Sequence, residues 1–334
     1  MIFNIELPKK INTFNYFKKG EKGCTLYSYG SAMDGYQIIA TYPELEIEKD
    51  FAIVDSTLNA IVKLGSNVEV KLNENNIVAK SEKGKYTGKY IEIKYLIPNI
   101  DYDNSIKADL SVLNKATMFA SSNEKKPILT GINLSANGDV VATDSFKVYR
   151  KLGEDFDTTL ANPNITIPSS LIKIASGLFN NNIIEIKFNN NSFCMIENNI
   201  MFVGRLLDGN FPKVASLYKG LESLTYHEIN ATELLNCIDF TKMTGASAEK
   251  KILLYAYLSE NHFKGVGEDV FEKEIQYSGE DVIFDALFLE IVLKSFNCDI
   301  INIATLKRQN GCMSKFTGKD KKEEIILLGI VKED

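Results

Sequence analysis

The chain has 334 residues, of which 45% are hydrophobic and 25% charged, and its 38 basic and 44 acidic side chains give a net charge of −6. This composition is typical of a globular protein, and no apolar run reaches the roughly 18 residues that a membrane-spanning helix needs. The acidic balance argues against a protein that holds nucleic acid by bulk charge, unless its lysines are concentrated on one surface.

A threefold repeat organises the chain. Segments that begin at Ile53, Ile165 and Val282, about 115 residues apart, each have the pattern of a short strand, one amphipathic helix and three further strands. A period of this length indicates a duplicated domain, since solenoid repeats run about 20–50 residues. We therefore predict an α+β fold of three repeated domains, each with two helices on a curved antiparallel sheet, over residues 1–104, 105–222 and 223–334.

Helical spacing and capping residues predict two helices in each domain. The first helices are expected at residues 8–19, 106–121 and 230–243, and the second helices at 55–64, 169–179 and 285–296. Ser169 and Asp285 are good N-cap residues for the last two of these. Hairpins are predicted around Asn137-Gly138 and around Glu260-Asn261, where apolar alternation is interrupted by turn residues.

The chain offers little for catalysis. Its two histidines, His227 and His262, are far apart, and the S-x-x-K string at Ser170–Lys173 lacks the partner motifs that serine acylases need. We predict no catalytic residue, no metal site and no cofactor, which is the pattern of a scaffold. A metal-dependent nuclease remains the enzymatic alternative, and it would require clustered carboxylates.

Lysines recur in the same elements of each repeat, on the predicted helices and in the loop after the first helix. Such placement is what a shared surface facing nucleic acid requires, and the alternative is an ordinary solvated helix face. The candidate DNA-facing residues are Lys9, Lys10, Lys22, Lys63, Lys115, Asn123, Lys125, Lys126, Lys173, Lys242, Lys250 and Lys251.

Several segments resemble one family. Residues 142–152 and 129–134, and above all FVGRLLDGNFPKVASL at 202–217, are similar to the middle domain of the bacterial DNA polymerase III beta subunits, the sliding clamps. Residues 256–284 resemble the third domain of that family. The resemblance is good over residues 106–334 and faint over the first hundred. Its most specific motif is R-L-[LIV]-D-G-x-[FY]-P at 205–212, followed by T-D-x-x-[RK]-[LV] at 143–148.

The resemblance implies half of a closed ring. In the family, two three-domain subunits join head to tail around duplex DNA, with helices lining the hole and sheets forming the outer wall. It therefore implies a processivity clamp that tethers the replicative polymerase and acts in the cytoplasm, at the nucleoid. The implied partners are double-stranded DNA, a second copy of the chain, and a polymerase and clamp loader that dock through short apolar peptides. The alternative is a clamp-fold adaptor or inhibitor that binds peptides without encircling DNA.

Two further surfaces follow from the resemblance. The first is a peptide pocket between the second and third domains, formed by Leu129, Thr143, Ser145, Phe146, Lys147, Val148, Tyr218, Ile326, Leu328 and Ile330. The second is a dimer interface formed by Tyr90, Ile91, Ile93, Ile238, Met243, Ile252 and Leu253. The pocket departs from the family pattern, which usually has Gly-His-Arg at 145–147 and proline at 218. These changes suggest an altered peptide preference.

Overall fold

The structure is a computed structural model, and it describes residues 2–3, 14–30, 35–65, 68–74, 76–92, 100–135, 138–153, 164–244, 253–309, 311–319 and 321–330. The chain divides into two compact units. One comprises Met1–Ser111 with Ser170–Leu207, and the other comprises Val112–Ser169 with Asp208–Asp334. Among the described residues, no helix has the length and apolar content needed to cross a bilayer.

The described strands and helices alternate in three similar series along the chain. The first series is β1 (Ile2–Phe3), β2 (Phe14–Lys19), β3 (Cys24–Tyr29), β4 (Gln37–Tyr42), β5 (Phe51–Val54), α1 (Asp55–Lys63), β6 (Val68–Leu72), β7 (Asn76–Ser81) and β8 (Gly84–Lys89). The second is β9 (Asn104–Asp109), α2 (Leu110–Ala116), β10 (Gly131–Leu134), β11 (Val140–Thr143), β12 (Lys147–Lys151), β13 (Ile165–Pro168), α3 (Ser169–Ser176), β14 (Ile183–Phe188), β15 (Ser192–Glu197) and β16 (Ile200–Arg205).

The third series follows a short helix, α4 (Ala215–Lys219). It consists of β17 (His227–Asn230), α5 (Ala231–Thr244), β18 (Tyr255–Ser259), β19 (His262–Val266), β20 (Val270–Glu274), β21 (Val282–Asp285), α6 (Ala286–Ser295), β22 (Ile300–Arg308), β23 (Gly311–Thr317) and β24 (Glu323–Gly329). The strand, helix and three strands of the predicted repeat are therefore present three times, as β5-α1-β6-β7-β8, β13-α3-β14-β15-β16 and β21-α6-β22-β23-β24. The α+β fold with antiparallel sheets is confirmed.

The strands form four antiparallel sheets. One unit contains an eight-stranded sheet in the order β5-β2-β3-β4-β16-β15-β14-β9 and a four-stranded sheet in the order β1-β6-β7-β8. The other unit contains an eight-stranded sheet in the order β13-β10-β11-β12-β24-β23-β22-β17 and a four-stranded sheet in the order β20-β19-β18-β21. Each eight-stranded sheet combines strands from two of the predicted domains, through the β4–β16 pair and the β12–β24 pair.

Local sequence explains several helix starts and turns. The Asp285 carboxylate accepts hydrogen bonds from the backbone N–H groups of Leu287 (2.8 Å) and Phe288 (3.2 Å), so it caps α6 as predicted. The Asn230 side chain accepts a bond from Glu233 N (2.9 Å) at the start of α5. Asn261 has a positive φ of 55° in the predicted turn between β18 and β19.

Two helix predictions are corrected. Within the predicted helix 8–19, residues 14–19 form strand β2, and residues 8–13 lie outside the described part of the chain. In the predicted helix 106–121, the first residues extend strand β9, and the helix begins at Leu110. Ile106 and Ala108 are buried at alternate positions because β9 pairs with β14. In both cases hydrogen bonding to distant strands outweighs the local helical spacing.

Candidate functional site

A rigid turn between β11 and β12 lies at the centre of the predicted peptide pocket. The Asp144 carboxylate accepts hydrogen bonds from Phe146 N and Lys147 N, both at 2.9 Å, and also contacts the Lys147 ammonium. The Thr143 hydroxyl donates to Lys147 O (2.9 Å) and accepts from Ser145 N (3.1 Å). Ser145 has φ 84°, a left-handed conformation that is costly for a residue other than glycine. The turn therefore holds Phe146 in a fixed, outward position.

Six of the ten predicted pocket residues are buried. Leu129, Val148, Tyr218 and Ile326 belong to one apolar cluster and are at most 6% exposed. The cluster also contains Val141, Phe211, Val214, Leu221 and Met313. Thr143 and Lys147 are buried as well. These side chains are therefore core residues and are not part of an open surface.

The remaining pocket residues are exposed and lie together. Phe146 is 58% exposed, Ile330 53% and Leu328 42%. Leu328 N donates to Phe146 O (2.9 Å), and the Phe146 ring lies 6.0 Å from the ring of Phe288 at the start of α6. Leu328 and Ile330 point to the same side because they are two residues apart on extended backbone. We call Phe146, Phe288, Leu328 and Ile330 the aromatic platform, and Ser145 is exposed beside it.

The family motif at 205–212 has a physical basis in this fold. Gly209 has φ 119°, which side-chain-bearing residues rarely adopt, so the turn requires glycine there. Two residues later, Phe211 is buried in the same apolar cluster as Tyr218. The motif thus positions an aromatic side chain that supports the buried residues of the predicted pocket.

Tyr218 is buried in this apolar cluster. Its side chain is 2% exposed, and its hydroxyl has no hydrogen-bond partner among the described residues. Burial raises the pKa of the Tyr218 hydroxyl well above its usual value, so the group stays neutral. The Arg150 guanidinium carbon lies 5.1 Å from the centre of the Tyr218 ring, and Lys315 Nζ lies 5.8 Å from it.

A charge network joins β12 to β24 near Tyr218. Arg150 donates from Nε (3.0 Å) and Nη2 (2.8 Å) to Asp139 Oδ2, and its Nη1 lies 3.7 Å from Glu324, the residue directly opposite it in the sheet. Lys315 Nζ lies 2.5 Å from Glu324 Oε1. Burial lowers the pKa of Lys315, but the contacts with Glu324 and Tyr226 together outweigh burial, and the pKa lies above its usual value. The sequence analysis missed these four charged residues, because only strand register brings them together.

The predicted DNA-facing residues differ in their surroundings. Lys22, Lys63, Lys125, Lys126 and Lys173 are exposed and form no ion pair within the described ranges. The Asn123 side chain accepts a hydrogen bond from Lys125 N (3.0 Å), so it shapes the loop that carries the two adjacent lysines. The described residues do not include Lys9, Lys10, Lys250 and Lys251.

Two of the predicted DNA-facing lysines are held by carboxylates. Lys115 Nζ on α2 contacts both oxygens of Glu323, at 2.8 and 2.9 Å. Lys242 Nζ on α5 lies 2.7 Å from Asp239 Oδ1 and 2.8 Å from Glu290 Oε1 on α6. Glu290 also accepts from Lys294 Nζ (2.5 Å). Burial raises the pKa of Glu290, but the two ammonium groups together bring it below its usual value.

Some of the predicted interface residues are exposed and others are buried. Met243 is 71% exposed and Leu253 63% exposed, whereas Ile238 is fully buried. In the other unit, Ile91 is exposed and pairs by backbone with Ala52, and the Tyr90 hydroxyl donates to Asn73 O (2.8 Å). Ile93 and Ile252 lie outside the described ranges. Phe240, which the sequence analysis missed, is more than half exposed and stacks on Phe271 of β20 at 5.0 Å.

Within the described residues, the two four-stranded sheets end at β1 and β8 in one unit and at β20 and β21 in the other. Because β1 has only two residues and β21 is bridged to Ile330, β8 and β20 are the longer end strands that pair on one side only. On β8, Tyr86 contacts Thr57 of α1, so Lys85, Thr87 and Lys89 point to the opposite face. On β20, Phe271 and Lys273 contact α5, so Val270, Glu272 and Glu274 point away from it. The free faces of the two edge strands therefore carry opposite charges.

Comparison with known proteins identifies the family that the chain resembles. Residues 107–213 match the family model for the central domain of the DNA polymerase III beta subunit. The chain is 25% identical to the beta sliding clamp of Streptococcus pneumoniae over 317 residues, covering 88% of this chain and 78% of the relative. It is 24% identical to the beta sliding clamp of Staphylococcus aureus over 250 residues, or 70% of this chain and 66% of the relative.

Solved structures share the fold along nearly the whole chain. The beta subunit of Streptococcus pyogenes DNA polymerase superimposes with a TM-score of 0.79 at 20% identity, covering 96% of this chain and 92% of that chain. The Bacillus subtilis DNA polymerase sliding clamp gives a TM-score of 0.77 at 19% identity, covering 96% and 91%. The resemblance predicted from the residues is confirmed, and the shared fold extends into the first hundred residues, where the sequence similarity is faint.

Proposed function

We propose that this divergent relative of the bacterial DNA polymerase III beta subunits is a sliding clamp. Two copies would join head to tail into a ring around duplex DNA, and the ring would tether a polymerase without catalysing a reaction itself. The observation that carries the proposal is the threefold strand–helix–strand unit together with one open-edged, four-stranded sheet in each unit of the chain.

The strand count supports closure by a second copy. The described residues form two eight-stranded sheets and two four-stranded sheets, and β8 lies at one end of the first four-stranded sheet and β20 at one end of the second. Pairing β8 of one copy with β20 of another would make a further eight-stranded sheet like the other two. Such pairing also satisfies the backbone groups of both edges, which are otherwise open to aggregation. Because the two edges differ, the contact is head to tail, and two such contacts close a ring.

Side-chain chemistry favours the same pairing. On the faces that point away from the helices, β8 presents Lys85 and Lys89, and β20 presents Glu274 together with Glu272, which also contacts Lys264 of β19 at 3.2 Å. Opposite charges on adjacent strands attract, and like charges repel, so β8 would pair with β20 in preference to a second β8. The exposed apolar side chains of Phe240 and Met243 on α5 supply the hydrophobic part of such an interface.

The proposed DNA contact is electrostatic and independent of base sequence. Exposed lysines without a carboxylate partner, such as Lys125 and Lys126, would meet phosphates from the inside of the ring. A ring is retained by topology, so the contacts need only be weak, and strong contacts would slow sliding. A net charge of −6 is compatible with this arrangement because the acidic residues would lie elsewhere.

Replacing Lys125 and Lys126 with alanine should weaken binding to a short duplex, since phosphate contacts would be lost. In a plot of log affinity against log salt, the slope should become shallower by about 0.9 for each lost contact. Fluorescence anisotropy of a labelled duplex, titrated at several KCl concentrations, measures both quantities. A Lys83→Ala, Lys107→Ala variant is the matched control, because it also removes two exposed lysines that have no ion pair within the described ranges. Equal losses in the two variants would contradict the assignment of the loop to DNA.

The partner peptide would dock on the aromatic platform. Exposed apolar and aromatic side chains on a rigid base suit a short peptide that carries leucine and phenylalanine. The buried cluster around Val148 and Tyr218 would support the platform from below rather than open to receive the peptide. The pocket residues implied by the family resemblance would therefore have two roles. The buried ones would form a supporting core, and the exposed ones would form the binding surface.

A further inference from the structure

Two lysines on neighbouring helices share one carboxylate. Glu290 Oε1 on α6 lies 2.8 Å from Lys242 Nζ on α5 and 2.5 Å from Lys294 Nζ, one helical turn further along α6. Lys242 also contacts Asp239, so two positive and two negative groups form a closed set with no net charge. The Glu290 side chain is only 14% exposed. Its carboxylate is therefore held between the helices and is not free to swing into solvent.

This arrangement contrasts with the loop after α2. Lys125 and Lys126 are exposed and form no ion pair within the described residues, although they lie in the same unit of the chain. Lys115, on α2 itself, is bound by Glu323 as Lys242 is bound by Glu290. In this unit the lysines of α2, α5 and α6 thus have internal counterions, and the loop lysines do not. A phosphate can bind Lys242 or Lys294 fully only by replacing a carboxylate that is already in contact.

We infer that the Glu290 carboxylate competes with DNA phosphates for the lysines of α5 and α6. This competition weakens the binding of these lysines to the duplex. The inference rests on the proposed function, because it needs these helices to face DNA. The release of condensed counterions drives lysine–phosphate binding, and a lysine already paired within the protein gains less from it. The carboxylate thereby lowers the electrostatic affinity of the protein for DNA. A ring can tolerate this loss because it stays on DNA by topology and not by affinity.

A Glu290→Gln variant tests the inference by a gain of binding. Glutamine keeps the shape and the hydrogen-bond acceptor but removes the charge, so Lys294 becomes free and Lys242 keeps only Asp239. At moderate salt the Kd for a labelled duplex should fall roughly three- to tenfold, and the salt dependence should steepen by about 0.9 for each lysine recruited. The matched control is Glu228→Gln, because Glu228 is exposed on β17 and has no ion pair in the described part of the chain.

Lys294→Ala is a second substitution, made both in the native chain and in the Glu290→Gln chain. The result in the native chain does not depend on how well Glu290→Gln folds. In the native chain, Lys294→Ala should leave the salt slope unchanged, because that lysine is already neutralised. In the Glu290→Gln chain, the same substitution should remove most of the gain.

Each outcome separates the inference from the proposed function. A gain in Glu290→Gln alone supports the inference. Equal affinity of wild type and Glu290→Gln, an equal gain in Glu228→Gln, or a reduced slope in native Lys294→Ala overturns it while the clamp assignment stands. Failure of every chain, wild type included, to bind duplex DNA overturns both.

Discussion

A chain that carries Met243→Asp and Leu253→Asp should sediment as a monomer, whereas the wild type should sediment near twice its mass of 37.4 kDa. Both side chains are more than 60% exposed, at 71% and 63%, so the substitutions leave the core intact. In the proposed dimer they would be covered by the partner, and burying two unpaired carboxylates at each contact costs several kcal/mol. Sedimentation velocity at micromolar concentration measures the outcome.

Ile183→Asp is the control for this variant. Ile183 is 61% exposed, close to the 63% of Leu253, but it lies on β14, which belongs to an eight-stranded sheet and not to either proposed edge strand, so its replacement should leave the dimer unchanged. A dimer that survives Met243→Asp and Leu253→Asp would contradict the proposed interface. A wild-type chain that stays monomeric at micromolar concentration would contradict closure of the ring by two copies.

Leu328→Glu should strongly weaken binding of an apolar peptide while the protein keeps its melting temperature. Leu328 is 42% exposed on the aromatic platform, so a charge is tolerated in the free protein but is desolvated when a peptide covers it. We expect a loss of about 30-fold or more, which corresponds to a hot-spot contact of about 2 kcal/mol. The probe is a fluorescein-labelled pentapeptide with two leucines and a terminal phenylalanine, measured by fluorescence anisotropy. Phe146→Ala should have a similar effect.

Val148→Glu should behave differently, although its position is implied in the same pocket. Val148 is only 6% exposed and packs in the apolar cluster with Tyr218 and Ile326. Burying a carboxylate there costs several kcal/mol, a large part of the 5–15 kcal/mol that stabilises a typical domain. Circular dichroism should therefore show a marked loss of thermal stability.

Two results would contradict the assignment of Val148 to the buried core and of Leu328 to the aromatic platform. If Val148→Glu folded normally but lost the peptide, the buried cluster would itself be the binding pocket. If Leu328→Glu bound the peptide as well as the wild type, the platform would have no part in docking. Ile183→Glu, a substitution at a comparably exposed position on β14, controls for the added charge.

The repeat and the second helices could be predicted from the sequence because their signals are local. Each strand–helix junction carries apolar alternation followed by helical spacing, and Asp285 marks the start of α6 within three residues of its hydrogen-bond donors. Strands β2 and β9 could not be predicted in this way. Residues 14–19 are placed by pairing with β3 and β5, and β9 by pairing with a strand about 80 residues away. Pairing with a distant strand produces no local sequence signal comparable to a capping residue or a helical spacing.

The sequence predicts which residues form the candidate site, but it does not predict which of them are buried. The turn at 143–147 was found through the family motif, yet the sequence does not distinguish Phe146, which is exposed, from Val148, which is not. The sequence also does not show which of the predicted DNA-facing lysines are neutralised within the protein. Lys115 and Lys125 look equivalent in sequence, but the first is neutralised by Glu323, 208 residues away along the chain. Only the folded structure determines which lysines have a carboxylate partner.

Retention on closed circular DNA tests the central claim most directly. The labelled wild-type chain would be loaded by a bacterial clamp loader with ATP onto a nicked circular plasmid and separated from free protein by gel filtration at high salt. Our account predicts that the protein stays with the circle and is released once a restriction enzyme cuts the plasmid, because only topology holds it. A protein that remains bound after linearisation, or that never stays on the circle while still binding the apolar pentapeptide, would contradict the account.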